Sequence, residues 1–121
     1  MKRIAGLAAA VLLLAALAST ALAHALLHKA IPGVGATVHA APAEVTLLFS
    51  EGVEASFSSI AVSNAAGTHY ESGDPHTAPG DQKTLSVALK PLAAGTYTVE
   101  WHATSVDTHK TEGKFTFTVA P

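Results

Sequence analysis

Three groups of residues in this 121-residue chain have the side-chain types that hold metal ions. The first is His24, which directly follows Ala21-Leu22-Ala23 at the end of a long apolar run. A cut between Ala23 and His24 would make this histidine the first residue of the processed chain, with its α-amine and one ring nitrogen forming a bidentate chelate. The second is the pair Asp107 and His109 in "WHATSVDTHKTEGKF". Residues i and i+2 of an extended chain project from one face, so a carboxylate oxygen and an imidazole nitrogen can converge on one ion. Taken alone, D-x-H is more often a surface aspartate accepting turn hydrogen bonds beside a solvent-facing histidine. Joined to His24 the balance changes, because three nitrogens and one oxygen in a roughly planar set suit Cu(II) better than zinc, calcium or iron. The third group is His69, Asp74 and His76, where a weaker second site competes with the commoner explanation of a polar loop carrying scattered histidines.

The segment before His24 decides whether the first group exists at all. Met1-Lys2-Arg3 precedes an apolar stretch from Ile4 to Ala18, and small residues then lead to Ala21-Leu22-Ala23. A basic start, a short apolar middle and an A-x-A site describe a secretory signal peptide over residues 1–23. The stretch is short and wrongly flanked for a membrane span, which needs about 20 apolar residues; a retained N-terminal anchor is the competing reading of the same pattern, and no span is expected in the mature chain. A second A-x-A, Ala16-Leu17-Ala18, would leave His24 internal if it were used instead. Cleavage before His24 removes Lys2 and Arg3 and leaves five Lys+Arg against nine Asp+Glu, a net charge of −4 with neutral histidines. Nothing basic remains to follow a phosphate backbone, so nucleic acid is not an expected partner. Cysteine is absent, which excludes thiolate metal sites, cysteine nucleophiles and disulfides.

The ligands need elements to position them, and the remaining sequence reads as short strands. "EVTLLFS" places Val45, Leu47 and Phe49 on one side, and "TLSVAL" does the same with Leu85, Val87 and Leu89. "GTYTVEW" sets Tyr97, Val99 and Trp101 against Thr98 and Glu100, and "KFTFTV" alternates Phe115, Phe117 and Val119 with threonines. Alternation of this period, rich in Val, Thr and aromatics, is the half-buried strand signal. Further strands are expected around Leu26–Ala30 and Ile60–Ser63. About seven short strands in about 100 residues predict an all-β, immunoglobulin-like Greek-key sandwich forming a single domain over residues 24–121. "PLAAGTYTVEW" suggests a tyrosine corner at Tyr97. The Gly-, Pro- and Asp-rich stretch from Asn64 to Gln82 reads as a mobile loop, with at most a short strand near Thr68–Glu71. An unbroken strand would carry the parity of Trp101 on to Asp107 and bury an unpaired carboxylate, so a bend near Thr104–Val106 is expected to leave the pair at the rim. Trp101 reads as core, His39 and His102 as exposed, and Glu44, Glu54, Glu71, Glu100 and Glu112 as solvated charge.

With these features assembled, the chain resembles the CopC family of periplasmic copper-binding proteins, including its YobA-like members. The resemblance runs from His24 to about Val119 and is carried by "HALLHKAIP", "APAEVTLLFSEGVE", "PLAAGTYTVEWHATSVDTHKTEG" and "FTFTV". It implies a β-sandwich with one high-affinity Cu(II) site per chain, built from the terminal amine and imidazole of His24 with Asp107 and His109. Glu51 in "FSEG" matches an acidic position of the family close to that site and would orient a ligand without touching the metal. His28, four residues after His24, would approach the ion without ligating. The resemblance further implies a periplasmic copper carrier or buffer in copper homeostasis or resistance, not an enzyme, with an inner-membrane copper transporter as partner. Some relatives carry a methionine-rich loop for Cu(I), but the only methionine here is Met1, which leaves with the leader. Soft thioether ligands are therefore missing from the processed chain.

Two readings of other classes compete. A small copper oxidase would use an N-terminal histidine brace, yet such enzymes need a second brace histidine, an axial aromatic and a broad flat substrate surface. A plain immunoglobulin-like interaction domain would leave the histidines incidental. No G-x-S-x-G turn marks a serine hydrolase.

Overall fold

The computed structural model describes residues 25–121, so the expected leader and His24 itself lie outside the described residues. In chain order the strands are β1 (Leu27–Ile31), β2 (Thr37–Val38), β3 (Glu44–Phe49), β4 (Ser59–Ser63), β5 (Glu71–Ala78), β6 (Asp81–Leu89), β7 (Gly95–Thr104) and β8 (Lys110–Val119), with one 3-10 turn at Ala55–Phe57. They form two four-stranded sheets, ordered β1-β3-β6-β5 and β2-β8-β7-β4. Every pairing is antiparallel except that of β2 with β8. The chain crosses repeatedly from one sheet to the other, which is the sandwich that the alternating runs predict.

Alternation becomes core where the two sheets face each other. Val45, Leu47 and Phe49 of β3 and Leu85 and Val87 of β6 are buried from one side. Tyr97, Val99, Trp101, Phe115, Phe117 and Val119 meet them from the other. Phe49 lies edge-on to Trp101 with ring centroids 5.2 Å apart, and Tyr97 stacks on Phe117 at 5.6 Å. Such pairs add to plain area burial because ring edges and faces attract. The tyrosine corner is present: the Tyr97 hydroxyl donates to the Ala93 carbonyl at 2.7 Å.

The stretch expected to be a mobile loop folds differently. Residues 71–78 form β5, which turns through Pro79-Gly80 straight into β6, with Ala78 paired to Asp81. Gly80 has φ +72°, the left-handed value that the third position of a type II turn requires, and Pro79 before it fixes the second. Proline, glycine and aspartate mask a strand in sequence, yet β5 lies at the edge of its sheet, where a residue without an N–H is tolerated. The register shifts between Ser72 and His76, a stretch that contains Gly73 and Pro75. Glu71 also departs from the expectation of solvated charge. It is half-buried, and its carboxylate accepts the Val62 N–H at 2.8 Å, occupying a donor on the edge of β4.

Candidate metal centre

The turn between β7 and β8 presents Asp107 and His109. Thr104 ends β7 under the 3-10 turn: its hydroxyl donates to the Phe57 carbonyl, and its N–H donates to the Ser58 hydroxyl. Ser105 then pairs with Val53 in an isolated bridge, and the Val106 N–H donates to the Gly52 carbonyl at 3.0 Å. Two backbone bonds close the turn, from the Ser105 N–H to the His109 carbonyl and from the Thr108 N–H to the Ser105 carbonyl, both at 2.8 Å. Thr108 sits at φ +73°, a region β-branched residues rarely occupy, so the surrounding bonds hold the tip in a conformation its own side chain disfavours. The chain therefore leaves the core at the expected bend, and Asp107 and His109 are about half exposed, at 45% and 46%.

Their side chains converge. His109 Nδ1 lies 3.3 Å from Asp107 Oδ1. Two neighbouring ligands each about 2 Å from one divalent ion stand about 3 Å apart, so this separation fits donors that share an ion. The Ser105 hydroxyl donates to the same Oδ1 and also accepts the His109 N–H at 3.1 Å. The Ser105 hydroxyl first and the His109 imidazole second hold the Asp107 carboxyl below its ordinary value, so it is an anion at neutral pH. Sequence reading passes over Ser105. The available signal is parity: Trp101 and Ala103 point inward, residue 105 is next in that series, and a buried hydroxyl needs polar partners.

Among the described residues no group of three His, Asp or Glu side chains is placed to hold a metal. The pair at 107 and 109 therefore needs a further donor from outside that set. The start of the described chain lies close by: the Thr111 hydroxyl donates to the Ala25 carbonyl at 2.9 Å, and Leu26 exchanges bonds with Ser50, N–H to hydroxyl and carbonyl to N–H, each at 2.8 Å. Glu51 follows Ser50 at this end of the sandwich and is half-buried. His28 is exposed on β1, where the register shifts between Leu27 and Lys29. Two residues there oppose one on β3, so strand parity does not run unbroken through His28.

The other histidines are engaged elsewhere. His69 lies 3.1 Å from Glu71, His102 faces Glu112 at 3.3 Å, and His39 bonds the Ala120 carbonyl. His76 and Asp74 line an open groove of about 570 Å³ beside Ala55, Ser56 and Ser58, and His69 is not among its lining residues. The three side chains of the possible second site are thus not gathered in one place.

Known proteins resemble this chain in sequence and fold. The CopC domain model matches residues 27–120. The protein YobA of Escherichia coli K12 is 45% identical over 98 residues, 80% of this chain and 79% of that protein. Copper resistance protein C of Escherichia coli is 38% identical over 109 residues, 84% of this chain and 86% of its own length. The crystal structure of CopC from Methylosinus trichosporium OB3b superposes with a TM-score of 0.76 at 34% identity, covering 81% of this chain and 95% of that one.

Proposed function

The chain belongs to the CopC domain family, and from that premise we propose that it is a periplasmic, non-enzymatic carrier or buffer that binds one Cu(II) ion. The ligands are the α-amine and imidazole of His24, exposed by removal of residues 1–23, with Asp107 and His109. The observation that carries this reading is the bond from the Thr111 hydroxyl to the Ala25 carbonyl. It ties the residue after His24 to a position two beyond His109, and one further peptide unit spans 3.8 Å between Cα atoms. Nitrogen-rich donor sets of this kind favour Cu(II) among the common divalent ions. Calcium calls for six to eight oxygen ligands, which this donor set does not supply, and an N/O site of given donors binds Cu(II) more tightly than zinc. An inner-membrane copper transporter is the partner in this reading, receiving or supplying the ion at the exposed rim.

The test is a Cu(II) titration followed by EPR on the chain beginning at His24, beside a version with one extra residue before it. The native form should bind one equivalent with a nitrogen-rich signal, and the extended form should lose that signal. Equal binding by both forms would show that His24 is not the anchor.

A further inference from the structure

We infer that Ser105 is the positioning residue of this site: its hydroxyl sets the orientation of the Asp107 carboxylate and the backbone of His109 before any ion arrives. The inference rests on the copper reading of the pair and goes beyond it, because Ser105 touches no metal. Ser105 is fully buried, whereas Asp107 and His109 are half exposed. A rigid group thus stands directly beneath two mobile types of side chain. Its single hydroxyl proton can serve one acceptor at a time, and Asp107 Oδ1 is nearer than the His109 carbonyl at 3.2 Å. The oxygen's lone pairs take the His109 N–H at 3.1 Å. One atom therefore fixes the Asp107 carboxylate and the backbone that carries the His109 imidazole, and the Val53 bridge anchors that atom's own backbone to the core.

The consequence for binding follows from what each ligand would otherwise lose. A surface aspartate and histidine carried on one turn sample many rotamers, and ordering them on metal binding costs affinity. With Oδ1 already held by Ser105 and lying against His109 Nδ1, that ordering is present in the free protein. Partners of metal ligands in this position typically contribute about 10- to 100-fold in metal affinity.

The experiment compares wild-type protein with Ser105→Ala, both starting at His24, by chelator competition for Cu(II), by EPR, and by circular dichroism of the metal-free proteins. The expected result is a folded variant whose dissociation constant rises about 10- to 100-fold, with an altered copper hyperfine pattern. Ser105→Thr, which keeps the hydroxyl, should restore the wild-type spectrum. A purely structural serine would lower thermal stability while leaving the affinity of the folded fraction and the EPR spectrum unchanged, and that outcome overturns the inference. If wild-type protein binds no Cu(II), the copper reading fails instead. Should Ser105→Ala not fold, amide exchange of the metal-free wild type decides: the His109 N–H should exchange well over tenfold more slowly than an open-turn amide, and exchange at the open rate overturns preorganisation.

Discussion

Gly113 shows how closely single residues are constrained next to the site. It pairs with Trp101 across β7 and β8, and a Cβ built on it would lie 2.6 Å from the indole ring. The ring therefore occupies space that any other residue would fill, and it stays against Phe49 in the core. Gly113→Ala should destabilise the protein by about 1–3 kcal/mol, the usual range for overpacking, and shift tryptophan emission as the ring is displaced. Urea unfolding monitored by fluorescence measures both, and a variant with unchanged midpoint and emission would show that the ring can give way at no cost. Sequence shows a glycine in a strand but not what approaches it, because the partner is set by register. The same limit applies at the rim. Asp107 and His109 are legible from their spacing, and the bend that exposes them follows from the cost of burying a carboxylate. Ser105 is not legible, because its role depends on three bonds that only the closed turn creates.

Among elements, β3, β6, β7 and β8 could be read from alternating apolar residues, and β1 and β4 lie where further strands are expected, whereas β5 could not be read. Its Ser-Gly-Asp-Pro-His run carries little apolar content, so its pairing with β6 rests on backbone bonds and the Pro79-Gly80 turn. The side of β5 facing β4 is secured in part by Glu71. Burial opposes the charge on this carboxylate, but bonds from the Val62 N–H, from its own backbone N–H and from His69 outweigh it and leave the carboxyl below its ordinary value. A folded-state value depressed in this way stabilises the protein above the unfolded-state value, and the contribution disappears as pH falls through the folded one. Glu71→Gln keeps one acceptor oxygen for Val62 and loses the charge together with the second acceptor oxygen. It should therefore cost about 1 kcal/mol at neutral pH, the difference between a charged and a neutral hydrogen bond, and less at an acidic pH below the ordinary glutamate range. Urea midpoints of wild type and variant that differ equally at both pH values would contradict this account of how the edge of β4 is held.

At the scale of the whole molecule, the segment at Ala25 and Leu26 joins the two sheets at one end. Leu26 bonds Ser50, which follows β3 of the first sheet, and Ala25 is bonded by Thr111 of β8 in the second. The chain has no cysteine, so no disulfide secures this junction, and among the described residues no helix is long and apolar enough to cross a membrane. An ion held by His24, Asp107 and His109 would couple the start of the processed chain to the β7–β8 turn across that same end. Binding to the folded state alone adds RT ln(1 + [L]/Kd), about 2.7 kcal/mol at a free ion concentration of 100 times Kd. For a domain of about 100 residues each kcal/mol raises the melting temperature by roughly 4–8 °C, so the expected rise is on the order of 10–20 °C. Differential scanning calorimetry with buffered Cu(II) measures it, with the form extended before His24 as control. The rise should be nearly absent in the control, because one residue ahead of His24 removes the amine from the donor set without altering the described sandwich. A similar rise in both forms would place the stabilising ion elsewhere, with the exposed His102 and Glu112 pair on β7 and β8 as the next place to look.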